Sequence, residues 1–199
     1  MAYPTLDGPY GLIPINLIGG QVFASATRQI PIATNSSTAI YFGDVVTLAS
    51  TGTLALDTGT NAATPVGVFL GCTYTDPSFG RTFRQFYPGT TNINGITAYV
   101  LDDPDALFKV AVVSSGTTMS FVNRTSVGNN AVLVQNSGLT NTGNSRVAVS
   151  STTATTSTFP VRVVDVIPDT ALAGNPGSYS EVIVKWNQGM HQYLNPTGV

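Results

Sequence analysis

Asp102, Asp103 and Asp105 put three carboxylates into four residues of a chain in which only 9% of residues are Asp, Glu, Lys or Arg. Such a cluster has three chemical readings: a hard-cation site, a general acid/base pair, or a solvated turn. A calcium loop spreads its oxygen ligands over about a dozen residues and turns on a glycine, whereas here Pro104 interrupts the acids and no glycine lies among them. A paired-carboxylate enzyme needs a second acid delivered by another element, and no spacing in the chain designates one. Asp before Pro favours an extended residue and the start of a turn. The turn reading therefore leads, with the cation site kept open.

The other chemistry-bearing residues stand alone. His191 is the single histidine, so a multi-His metal centre is excluded, and no Gly-x-Ser-x-Gly turn offers a nucleophile for a Ser-His-Asp triad. Cys72 is the single cysteine; it can form no internal disulfide and reads as a small buried hydrophobe. Neither a Gly-rich phosphate loop nor a dinucleotide fingerprint is present. No catalytic residue, metal site or cofactor is expected.

One segment carries a different chemistry. Residues 79–87 gather Phe79, Arg81, Phe83, Arg84, Phe86 and Tyr87, the aromatic-plus-arginine mixture of which interface hot spots are made. The competing reading is a core strand with Phe79, Phe83 and Tyr87 turned inward, and the residues alone leave the two level.

The elements that must position these residues are strands. Thr, Ser, Asn and Gly replace charge as the polar component; Ser, Thr and Asn compete with the helical backbone, and Thr is β-branched. Short β-prone runs follow one another from about residue 21, and Glu181–Trp186 alternates strictly, with Val182, Val184 and Trp186 on one face. The expected architecture is mainly β, barrel or sandwich-like, with long Ser/Thr/Asn-rich loops. Residues 1–20 mix Pro and Gly with Tyr3, Tyr10, Leu12 and Ile13 and predict an extended N-terminal arm packed on something; 21–199 is expected to be one β domain, with 114–158 an elaborated hairpin or loop insertion. A faint internal echo runs through it. The strings at 45–48, 54–56 and 65–68 have the order and spacing of those at 132–134, 147–149 and 160–163, as a duplicated three-strand unit would.

Composition also bears on partners. Eight basic residues and a net charge of −2 argue against a basic groove for nucleic acid. No apolar run is long enough for a membrane-spanning helix, and the first residues lack the basic n-region of a signal peptide, so cytoplasmic synthesis without processing is expected.

Three segments together resemble the head-decoration, or cement, proteins of tailed phages, particularly marine phages. They are the strand series of 43–48, 52–56 and 64–74; the run AYVLDDPDALFKVAV at 98–112 after an aromatic stretch ending in Tyr87-Pro88-Gly89; and the terminus EVIVKWNQGMHQYL at 181–194. The resemblance covers about 10–112 and 159–199. It implies a non-enzymatic virion protein on the capsid surface that binds the major capsid protein and stabilises the shell, usually as a homo-oligomer, a trimer or a dimer. Under it, Tyr3, Tyr10, Leu12 and Ile13 of the arm, with Phe79, Arg81, Phe83, Arg84, Phe86 and Tyr87, are the candidate interface residues. A tail or fibre-associated protein and a carbohydrate-binding β-sandwich, stacking sugars on Trp186 or the Phe/Tyr segment, are the alternatives.

Overall fold

A computed structural model describes residues 6–24, 26–90, 92–172 and 175–198 of the chain. It is mainly β, with 47% strand and 5% helix. The first half supplies β1 (Ile13–Leu17), β2 (Arg28–Pro31), β3 (Val45–Leu48), β4 (Leu54–Leu56), β5 (Gly67–Asp76), β6 (Gly80–Arg84) and β7 (Asn94–Leu101). The second supplies β8 (Ala106–Ser115), β9 (Thr118–Met119), β10 (Asn130–Val134), β11 (Ala148–Ala154), β12 (Val161–Val166), β13 (Ala171–Leu172), β14 (Asn175–Tyr179) and β15 (Glu181–Trp186).

Strands β8, β11, β10, β12 and β15 pair in that order, and β15 pairs back onto β8, closing a five-stranded barrel. Its one parallel contact is β8 with β11. Strands β2, β7, β5, β3 and β4 form the second sheet, whose two edges are drawn into a ring by a parallel bridge between Ile32 and Leu54. The two rings have the same strand order, the same directions and the same parallel closure.

They also share register. In the N-terminal ring the Gly43 N–H donates to the Phe69 carbonyl and the Phe69 N–H to that of Asp44; in the C-terminal barrel Gly128, Val163 and Asn129 make the same two bonds. Each begins with a turn closed from Asp44 to Tyr41 or from Asn129 to Ser126, with a glycine at φ +89° or +90° in its third position. Only glycine takes that conformation without steric cost, which is why both turns carry one. The whole ring is therefore duplicated. None of the three string matches is in this register: 45–48 falls on 130–133, Leu54 and Leu56 on Val149 and Thr153, and Phe69 stands where Val163 does.

Period-two alternation assigns the two faces of each strand. Val46, Phe69 and Val100 turn into the N-terminal ring; their equivalents Ala131, Val163 and Val184 turn into the C-terminal barrel. The neighbouring positions face outward and differ sharply. Val45, Val68 and Leu101 are apolar and join the cluster that fills the C-terminal barrel, whereas the corresponding Asn130, Arg162 and Lys185 are polar. The first ring thus packs on the second through a face that the second does not reciprocate.

The N-terminal segment is extended and packed, since β1 pairs antiparallel with β8 and Leu12 is fully buried beside it. Residues 21–199 build two rings, one on each side of the 102–105 turn, that share one apolar cluster. The 114–158 stretch is no insertion, since it contains β10 and β11, two staves of the barrel. β11 runs through Ser150, Ser151, Thr152 and Thr153, so half of it reads as loop by composition.

Candidate interaction surface

The aromatic and arginine residues of 79–87 are built on the hairpin of β5 and β6. Asp76 nucleates it: its Oδ1 accepts the N–H groups of Ser78 at 2.8 Å and Phe79 at 3.2 Å, and Gly80 turns at φ +73°. In the pairing that follows, Thr75 faces Arg81, Thr73 faces Phe83 and Cys72 faces Arg84. Cys72 points into the ring, so the next pair, Thr73 with Phe83, points out.

Phe83 is 64% exposed and Phe79, at the hairpin tip, 76%. The Phe83 ring leans on Tyr99 of β7 with centroids 5.9 Å apart and lies over Gly71, where a Cβ would stand 3.1 Å from its Cζ. Arg81 is held along the sheet by a 3.0 Å bond from Nη2 to Thr73 Oγ1. The outer face of β6, β5, β7 and β2 is thereby a shelf of Phe83, Tyr99, Thr73, Thr97 and Pro31 with the Arg81 guanidinium at one side. Ordering the arginine beforehand lowers the entropy that a contact would cost.

The segment splits beyond Arg84, which is exposed on the opposite side of the hairpin beside Cys72. Phe86 stacks on Tyr41 at 5.6 Å with planes 10° apart and lies against Gly143, so its ring is used between the two rings of strands. Tyr87 is fully buried, and its hydroxyl donates to the Ser36 carbonyl at 2.6 Å. Tyr87 is therefore not free for a partner, while Phe86 is half-buried. Of the three residues that the core reading turned inward, Tyr87 is buried and Phe79 and Phe83 are exposed.

The arm residues meet a similar sorting. Tyr3 lies outside the described residues. Leu12 is core, so it cannot serve as an interface residue. Tyr10 donates its hydroxyl to Glu181, its ring lies under Lys109 Nζ at 5.2 Å, and Lys109 is 3.3 Å from Glu181 Oε1. Burial, and then the Glu181 carboxylate, push the Tyr10 pKa far up. Ile13 is half-buried beside this group. The strand does carry an apolar surface that the sequence reading missed: Ile15, Ile18 and Val22 are 39%, 46% and 82% exposed.

The acidic cluster is the joint between the rings. Asp103 Oδ1 accepts the Asp105 N–H at 2.8 Å, forming a turn across Pro104. Asp102 reaches back to Arg28 of the first ring at 3.5 Å, and Asp105 forward to Lys185 of the second at 2.8 Å. With basic groups as partners, Asp102 and Asp105 serve as ties and not as cation ligands.

The lone chemical groups are interior. Burial pushes the Cys72 thiol up to about 12, against the pull of Arg84, so it carries no thiolate at neutral pH. His191 is fully buried; burial lowers its pKa, and its Nδ1 accepts the Tyr193 N–H at 3.4 Å. Trp186 is 2% exposed and packs on Phe108 at 5.4 Å, which removes it as a sugar-stacking platform. Compared with protein-family models, curated proteins and solved structures, the chain has no significant match.

Proposed function

We propose that the protein is a non-enzymatic structural component of a tailed-phage virion that docks on the outside of the assembled capsid and reinforces the shell. The observation that carries this reading is the shelf around Phe83: two largely exposed phenylalanines and a pre-ordered arginine on a surface otherwise nearly without charge. Exposed aromatics flanked by arginine are the anchors that association buries most effectively. The major capsid protein is the proposed partner, and the capsid surface the proposed location. Ile15, Ile18 and Val22, exposed on and after β1, are suited to contacts between copies in a homo-oligomer.

Cosedimentation of the purified chain with capsids that lack it tests the proposal, with the chain's mass measured by light scattering. Saturable binding at a fixed copy number is expected. Recovery of the chain entirely in the supernatant, at concentrations well above micromolar, would overturn it.

A further inference from the structure

Between the N-terminal ring and the segment that follows β10 lies a cleft of about 370 Å³. Tyr41, Asp44 and Asp57 line it from one side, Gln135, Asn136 and Ser137 from the other. The two acids are buried, Asp44 to 3% exposure and Asp57 to 7%. Asp44 Oδ2 accepts the Tyr41 N–H at 2.8 Å, and Asp57 Oδ1 the Gly59 N–H at 2.7 Å. Burial raises the Asp57 pKa, against the backbone N–H groups of Gly59 and Thr64, and its buried Oδ2 has no partner in hydrogen-bond geometry among the described residues.

A carboxylate in this position must be neutralised or compensated, because an unpaired buried charge is costly. Among the described residues no basic side chain does so. The ion pairs there use Asp102, Asp105, Asp165 and Glu181, never Asp44 or Asp57. The amides opposite are oriented by their donors. Gln135 Nε2 is taken by the Gly59 carbonyl at 2.8 Å, and Asn136 Nδ2 by the Gly116 and Arg146 carbonyls, each at 2.9 Å. Their carbonyl oxygens accept no bond among the described residues and are left as ligands.

We propose that this cleft binds a calcium ion, with Asp44 and Asp57 as its charged ligands and the Gln135 and Asn136 oxygens and water completing the shell. The donor set is all oxygen, mixing two carboxylates with neutral carbonyls, as suits calcium, whereas zinc and copper favour sites with imidazole or thiolate ligands. Among the described residues no three His, Cys, Asp or Glu side chains converge, so a site built from charged ligands alone is not what the cleft offers. Magnesium requires a near-ideal octahedron at shorter distances, which ligands from two separate rings are poorly placed to give. A bound ion joins the first ring to the second across their seam. The positions equivalent to Asp44 and Asp57 in the C-terminal barrel are Asn129 and Ala154, so the duplication supplies one charged site and one without charge.

The test is titration of the full chain with calcium by calorimetry, with thermal melts in calcium and in EDTA, and with terbium luminescence excited through tyrosine, since Tyr41 lines the cleft. One ion per chain is expected, with a melt about 5 °C higher in saturating calcium and a terbium signal displaced by calcium. Asp57→Asn should weaken binding at least roughly tenfold and melt in EDTA no lower than the parent chain. Gln135→Ala, on the other ring, should weaken calcium binding without abolishing the fold. No heat and no difference between calcium and EDTA would overturn the proposal, as would Asp57→Asn and Gln135→Ala chains binding calcium as the parent does. Tighter binding of magnesium would overturn the calcium assignment.

Discussion

Asp44 sits at the turn that opens β3, and burial raises its carboxyl to about 6, against hydrogen bonds from Ser145 and Tyr41 that lower it. The unfolded chain ionises this group near 3.8. Folding therefore favours the protonated form: without a bound cation, stability is highest below pH 4 as far as this group is concerned and falls as pH rises towards 6. The loss is roughly 3 kcal/mol. Asp44→Asn in EDTA should abolish that fall while keeping an oxygen for the Tyr41 N–H. Thermal melts at pH 4 and pH 7 check it; an unchanged pH difference would place the titration elsewhere. At the same scale, Leu12→Ala should cost about 2–5 kcal/mol in denaturant unfolding, because Leu12 is core and leaves a cavity.

Among the elements, the paired glycine turns offer a matched comparison. A methyl group added at Gly128 would have nothing within 4 Å, so alanine there meets only the cost of its φ of +90°. At Gly43 the same methyl group would also stand 3.2 Å from the Leu12 nitrogen. Gly128→Ala should cost about 1–2 kcal/mol and Gly43→Ala more, read from urea midpoints. On the β5–β6 hairpin, Phe83→Ala should leave the melt nearly unchanged, because the ring is mostly exposed, yet weaken capsid binding about tenfold or more. A loss of stability without a loss of binding would make Phe83 a packing residue. How legible these elements were depended on what fixes them. The strands were readable because alternation in 181–186 and Val-rich runs elsewhere follow local rules. The fates of Phe83, Phe86 and Tyr87 were not, because neighbours distant in sequence decide them: Tyr99 beneath the first, Tyr41 and Gly143 around the second, Ile40 beside the third. The acids of the cleft were overlooked for the same reason, since Asp44, Asp57 and Gln135 meet only through the fold.

For the whole molecule, the shared apolar cluster predicts that the rings unfold together. Val45, Val68 and Leu101 lie in one cluster with Phe108, Val184 and Trp186. A second tie comes from Gln192, whose Oε1 accepts the Leu48 N–H at 2.9 Å and so fastens the segment after β15 to β3. A single urea transition is expected, coincident by fluorescence of Trp186 and by circular dichroism. The duplication is visible only in the strand pairing, because equivalent strands share position and not spelling.

The unreciprocated packing has a further meaning. A surface that docks on a different surface of a like unit can, in principle, repeat without end, adding unit after unit into a filament. Repeat arrays avoid this with a terminal unit whose outer face is polar. Asn130, Arg162 and Lys185 occupy the places through which Val45, Val68 and Leu101 dock, and so act as the stopper of a two-unit series. Replacing the three together, Asn130→Val, Arg162→Val and Lys185→Leu, should convert a chain of fixed mass into one whose light-scattering mass climbs with concentration.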